Sequence, residues 1–363
     1  MTGRVKAAFA AALHGIGAQA TLGRLREGGA PLIVGYHRIV EDYRATAAHA
    51  LPAMLTSLAT LERHLDWLAR HYRIVTLSEA AASWTAGLRQ GTRPVAAVTF
   101  DDGYRDFYET AFPILVRKGI PAAVFVVTEL VGTSGLQLHD ELYLLLKESL
   151  RQRPGEALAP LAEAAGADPA LLGRIRAAGA QVFRLTRLLL EDCSQSQLRR
   201  LLALLRERVA IPEQARAGLQ SLDWSTLSRL QRAGVTVGSH TRTHALLVNE
   251  PLEKVIEEVA RSKSTAEAQL GEPLRHFAYP DGQFNPAVMD AVERAGYHYA
   301  YTFCRHCDPA RPRLTVPRLL LWERSLAGHA GSFSPMLMSG RVNGLLEALR
   351  GCRRPHGALL AAR

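Results

Sequence analysis

Apolar residues in this chain follow two alternating rhythms. Short β-branched or aromatic runs are separated by helix-length stretches whose leucines, valines and alanines recur three and four residues apart. The runs predict strands at Leu32–Tyr36, Arg73–Leu77, Val95–Phe100, Ala122–Val127, Val235–Ser239, His276–Tyr279, Tyr299–Phe303 and Thr315–Leu321. The stretches between them carry apolar faces such as Leu58, Leu61, Leu65 and Leu68, or Val255, Val259, Ser262 and Ala266. Gly119, Gly234, Gly271 and Gly296 each follow such a stretch, where a glycine stops a helix before the next strand. Strands alternating with helices imply a parallel sheet with covering helices, and about eight of them suit a (β/α) barrel. The expected fold is therefore α/β, a barrel of seven or eight strands.

From about Gly132 to Leu222 the rhythm changes. Leucine, alanine, arginine and glutamate dominate and no strand stands out, which predicts a helical insertion. It lies between two strands whose ends carry candidate chemistry, so it is placed either to wall the site or to serve as a structural excursion. The expected organisation is a basic N-terminal segment over residues 1–30, a barrel over 31–325, and a basic amphipathic tail over 326–363.

Composition narrows the class. With 363 residues, 48% of them hydrophobic and 21% charged, the chain has enough apolar mass for a large core and too much for a disordered polymer. A net charge of +10 favours anionic surfaces. The arginines are spread along the chain and no nucleic-acid motif accompanies them, so nucleic acid is not an expected partner. The apolar run Ala7–Leu13 is cut short by His14, and no stretch is long enough to span a bilayer. These features predict a cytoplasmic protein. The tail, with Met336, Leu337, Met338, Leu345, Leu346 and Leu349 among arginines, suits either peripheral contact with the inner membrane or packing onto the barrel. The four cysteines, Cys193, Cys304, Cys307 and Cys352, make no disulfide framework, and Cys304 and Cys307 lack the second pair that a zinc knuckle needs.

The candidate chemistry sits at strand ends. Thr99-Phe100-Asp101-Asp102-Gly103 follows Val95–Val98, placing two carboxylates on the rim where barrel active sites lie. Adjacent carboxylates repel, so the pair calls for a cation or a shared proton. Gly238-Ser239-His240-Thr241-Arg242-Thr243-His244 follows another strand, and two histidines four apart are expected on one face of a helical turn, close enough to hold one metal ion. One carboxylate and two imidazoles leave open positions for water and substrate, which is the pattern of a catalytic divalent metal; zinc fits best, and cobalt, nickel or iron suit the same donors. The second aspartate is then free for proton transfer. A third strand ends in His276-Phe277-Ala278-Tyr279-Pro280-Asp281-Gly282, whose tight turn offers the backbone N–H of Asp281 to a developing oxyanion. Tyr279 and Tyr104 are further candidates for substrate contact.

Together with an early Tyr36-His37-Arg38, these motifs resemble the polysaccharide deacetylase family, also called carbohydrate esterase family 4 or the NodB homology domain. The likeness runs through most of the chain in family order and is nearest to bacterial exopolysaccharide deacetylases. It implies a distorted (β/α) barrel and hydrolysis of an acetamide on N-acetylhexosamine in an N-acetylated glycan. It assigns Asp101 as catalytic base and Asp102, His240 and His244 as metal ligands. Two positions depart from the family. The arginine that tethers the catalytic aspartate in many members is replaced by Ala278, and Arg318 on the last strand is the candidate substitute. A general-acid histidine late in the chain is missing, and His37 is the candidate replacement, because the first strand of a closed barrel neighbours the last.

Three other readings compete, the first being removal of O-acetyl rather than N-acetyl groups by the same residues. A non-haem iron oxygenase shares a two-histidine, one-carboxylate set, but its usual scaffold lacks the strand–helix alternation seen here. A glycan-binding relative that has lost catalysis would account for the two departures, yet has no need of Asp101 beside Asp102.

Overall fold

The computed structural model describes residues 30–86, 93–153, 155, 157–304, 307–328 and 331–343. The N-terminal segment, Cys352, and the tail residues Leu345, Leu346 and Leu349 lie outside them. Eleven strands are present among the described residues: β1 Leu32–Tyr36, β2 Arg38–Val40, β3 Leu55–Ser57, β4 Arg73–Ile74, β5 Val95–Phe100, β6 Ala122–Val126, β7 Thr236–Ser239, β8 His276–Ala278, β9 Tyr299–Thr302, β10 Val316–Pro317 and β11 Leu319–Leu320. The principal helices are α1 Leu58–His71, α2 Leu77–Ala86, α3 Phe112–Lys118, α4 Leu138–Gln152, α5 Pro169–Ala178, α6 Val182–Asp192, α7 Gln195–Arg206, α8 Trp224–Arg232, α9 Leu252–Leu270, α10 Pro286–Arg294 and α11 Pro335–Val342.

Eight strands run in the order β10-β9-β8-β7-β6-β5-β1-β11, with β4 attached to β5, and every pairing is parallel. This is a distorted (β/α) barrel. Within β1 the alternation sets the layers: Leu32, Val34 and Tyr36 pack outward with Leu61, Leu65 and Leu68 of α1. Ile33 joins the interior cluster with Ala97, Ala123, Phe125, Ala278 and Tyr301. Three of those interior residues are alanines, which keeps the lumen narrow and filled.

The expected strands at Arg73–Leu77 and Thr315–Leu321 both need correction. The first pairs only at Arg73 and Ile74, because Leu77 already opens α2. Leu77, Ala80 and Ala81 of that helix are buried in the interior cluster, so the helical face wins the segment. The second is split around a single residue: Val316 and Pro317 pair with β9, while Leu319 and Leu320 pair with β1. Arg318 therefore stands at the barrel seam. A small parallel sheet of β2 and β3 lies beside the first strand and was not foreseen.

The four helix-stopping glycines all have positive φ, and Gly119 and Gly271 are themselves left-handed caps, at φ 63° and 73°. Between β6 and β7 the chain forms helices and, among the described residues, no strand. These helices bury a core of their own around Leu142, Leu146, Leu172, Leu185, Leu201 and Leu205. Among the described residues no helix is long and apolar enough to cross a membrane.

Candidate active site

The C-terminal ends of β1, β5, β7 and β8 deliver the motif residues to one rim. Asp101 follows β5 and its backbone N–H donates to the Tyr36 carbonyl at 2.8 Å, so His37, just past the end of the neighbouring strand β1, lies beside it. Asp101 is buried, and Arg318 grips it with two parallel bonds, Nη1 to Oδ1 at 2.7 Å and Nη2 to Oδ2 at 2.9 Å. Nη1 also donates to Thr99 Oγ1 at 2.9 Å. The guanidinium sits 4.8 Å from the Phe125 ring and 4.6 Å from that of Phe303. Gly35 makes the space, since a Cβ there would stand 3.3 Å from the Phe303 ring and 3.8 Å from Arg318. Arg318 thus occupies, from the last strand, the tethering role for which the third motif offers only the buried methyl of Ala278.

Asp102 turns the other way. Its Oδ1 lies 3.3 Å from His244 Nε2 and 3.6 Å from His240 Nε2, and one donor atom from each of the three residues falls within 4.8 Å of the others. Among the described residues this is the group that fits a metal ion. His240 Nδ1 meets the Ala278 carbonyl at 2.8 Å, which places the ring hydrogen there and leaves the Nε2 lone pair facing Asp102. The two histidines do not share a helical turn, as their spacing suggested. Thr241 and His244 are left-handed, at φ 69° and 60°, and the His244 N–H donates to Thr241 Oγ1. An irregular loop, not helical periodicity, brings the rings to 4.9 Å.

The electrostatics separate the paired carboxylates. Burial alone would raise Asp101, but Arg318, with help from His240 and His37, outweighs it and holds that carboxyl below its ordinary value. Burial and the charges of Asp101 and Asp140 push Asp102 well above the usual range, against a weaker pull from Arg318. Burial lowers His240 and lowers His244 still further, keeping both imidazoles neutral. Both Asp102 oxygens are buried without a hydrogen-bond partner. A carboxylate stripped of solvent and facing two neutral ring nitrogens is a donor set suited to a divalent cation.

Backbone strain marks the same rim. The four non-glycine residues with positive φ among those described are Asp102, Thr241, His244 and Asp281. Strain of this kind costs on the order of 1–3 kcal/mol per residue and persists where the surroundings impose it.

His37, His139, His240, His244, Asp281 and Arg318 line a cavity of about 490 Å³ over the rim. Its outer wall is the insertion, through Phe183, Thr186, Arg187 and Leu190 of α6, and Arg187 approaches Asp281 Oδ1 at 3.4 Å. Burial depresses the His37 imidazole to about 4, with Asp101 acting against it. Two sequence candidates fall elsewhere. Tyr279 is wholly buried and donates its hydroxyl hydrogen to the Leu314 carbonyl at 3.0 Å. Tyr104 is also buried, with its hydroxyl committed to Asp140 at 2.6 Å. Neither side chain reaches the cavity, because strand alternation turns Tyr279 outward and Tyr104 packs under the insertion. His139, on the rim beside His244, escaped sequence reasoning: it lies inside a leucine-rich helix with no motif around it.

Comparison with known proteins settles the family. The polysaccharide deacetylase family model matches residues 89–186 and 206–300, more than half of the chain. The chain belongs to the polysaccharide deacetylase family. Members of this deacetylase family are hydrolases, and the matched ranges include Asp101, Asp102, His240, His244 and Asp281, whereas His37 and Arg318 fall outside them. The fold resembles that of the Streptococcus pyogenes deacetylase PplD in complex with acetate, at a TM-score of 0.53 and 16% identity, covering 85% of this chain and 96% of that one. It also resembles IcaB from Ammonifex degensii, at a TM-score of 0.52 and 18% identity, covering 87% and 98%. The putative polysaccharide deacetylase YxkH of Bacillus subtilis (strain 168) is 35% identical over 72 residues, a match that spans 20% of this chain and only 25% of that relative's length.

Proposed function

We propose that this deacetylase removes N-acetyl groups from N-acetylhexosamine units of a bacterial exopolysaccharide or cell-surface glycan, with a divalent cation, zinc by preference, at Asp102, His240 and His244. The observation that carries this reading is the division of labour between neighbouring carboxylates: Arg318 keeps Asp101 ionised, while Asp102 faces two neutral imidazoles. A bound cation supplies Lewis acidity to both the water and the acetyl carbonyl.

The protein's own groups do the rest. Asp101, its carboxylate plane fixed by the guanidinium, takes a proton from the attacking water. The tight turn at Pro280–Gly282 places Asp281 on the cavity wall, and its backbone N–H is the donor assigned to the carbonyl oxygen as it gains charge. His37, neutral at rest, relays the proton to the leaving nitrogen, so that acetate and a free amine result. Tethering from Arg318 also stops Asp101 from turning toward the cation site and repelling Asp102.

The test is acetate release from an N-acetylglucosamine oligomer by purified protein, after chelation and again after zinc or cobalt is restored. Release that falls on chelation and returns with metal supports the reading. Release unaffected by chelation, or confined to O-acetylated glycans, overturns it.

A further inference from the structure

A second layer of buried polar groups lies behind Asp102, and it comes from the insertion. Its Oδ1 faces the two rim imidazoles, but Oδ2 points toward His139 Nε2, 3.8 Å away. His139 is the second residue of α4, buried, with its ring 5.0 Å from that of His244. The same Nε2 stands 2.9 Å from the Tyr104 hydroxyl, which donates to Asp140 Oδ2 at 2.6 Å. A phenol has one hydrogen to give. With that hydrogen on Asp140, the Tyr104 oxygen is an acceptor, and the hydrogen between it and His139 must belong to Nε2. The ring edge that carries this N–H therefore bonds the Tyr104 oxygen and faces Asp102 Oδ2 at 3.8 Å, a polar contact longer than a hydrogen bond.

The same short segment holds the Asp102 backbone. Gln137 Nε2 donates to the Asp102 carbonyl at 2.9 Å, and Gln137 is fully buried. Three insertion residues within four positions thus bracket one aspartate whose φ is 69°. A carboxylate with a left-handed backbone and two unpartnered oxygens has no rotamer preference of its own strong enough to face the imidazoles.

We propose that Gln137, His139 and Asp140 of the insertion are positioning residues for Asp102. His139, its tautomer fixed by the Tyr104–Asp140 pair, presents the polarised N–H edge of its ring to Oδ2 at 3.8 Å, so that Oδ1 stays turned toward His240 and His244. The insertion is then part of the cation site, and its removal or reshaping changes metal affinity. This rests on Asp102 being a metal ligand. Groups that orient a metal ligand from behind are worth about 10–100-fold in affinity.

Cobalt titration of full-length protein tests it, reading affinity by competition with a chromophoric chelator and geometry by the visible absorption bands. H139L keeps bulk but removes the donor, while H139Q returns an N–H donor near the Nε2 position. We expect H139L to weaken cobalt binding by roughly 10–100-fold with altered bands, and H139Q to recover most of the loss. D140N and Q137A, which leave the rim untouched, should each weaken binding several-fold. Thermal unfolding of the metal-free variants checks that each folds. Equal affinity in wild type, H139L and H139Q overturns the proposal, as does equal loss in both variants of His139 while D140N and Q137A bind normally. A wild type that binds no cobalt instead overturns the underlying metal reading.

Discussion

Arg318 and Asp101, 217 residues apart, form a bidentate pair in which both side chains are fully buried. The pair exists because Arg318 is the single residue separating two half-strands at the barrel seam, where its backbone N–H bonds the Thr302 carbonyl at 2.7 Å. Lysine at this position would keep the charge but lose the planar fork. R318K should therefore lower kcat on an N-acetylated oligomer by about 100-fold while bound metal stays near wild type. R318M, which leaves a buried carboxylate unpaired, should in addition destabilise the fold by about 3–5 kcal/mol in denaturant unfolding. Unchanged kcat in R318K would remove Arg318 from the machinery.

Asp101 and the proposed cation ligands should separate cleanly. D101N is expected to lose about 100-fold or more in kcat and to retain its cation, measured by elemental analysis. H240A is expected to lose both. An active D101N would show that another group takes the proton.

His37 is assigned to the leaving group, so its importance should track how badly that group needs a proton. H37Q should slow amide deacetylation by roughly 100-fold or more, yet hardly affect an aryl acetate whose phenolate leaves unaided. Equal losses on both substrates would point to a packing role beneath the site.

Acid should weaken the fold through two buried imidazoles remote from the rim. Burial depresses His64 and His276 to about 4 each, from an ordinary 6.5. The unfolded chain binds these protons first, so the stability they confer is complete above pH 6.5 and is lost as pH falls toward 4. Each contributes up to about 3 kcal/mol over that window by linkage. Replacing His276, whose ring nitrogens meet Ser78 Oγ and the Tyr301 hydroxyl, by glutamine should flatten the fall in Tm between those pH values. An equally steep profile in H276Q would sink the assignment.

Tyr279 offers a check on the corrected reading of the third motif. Y279F removes one hydrogen bond to the Leu314 carbonyl and should cost about 1 kcal/mol of stability, leaving KM unchanged. A raised KM with normal stability would return Tyr279 to the substrate.

Local sequence determined the scaffold and the charged motifs. Strand alternation and helix-stopping glycines are written into adjacent residues, and so is the arrival of Asp101, Asp102 and His240 at strand ends, because those patterns depend on neighbours a few positions away. The tertiary structure decided what those motifs face. Only barrel closure brings Arg318 to Asp101, and only the irregular loop at Thr241 and His244 turns the second imidazole inward. Strand facing withdrew Tyr279 into the core, and the insertion packed His139 behind Asp102. Each of these is a contact between segments distant in the chain, fixed by how strands pair and which face is buried, and no local periodicity records it.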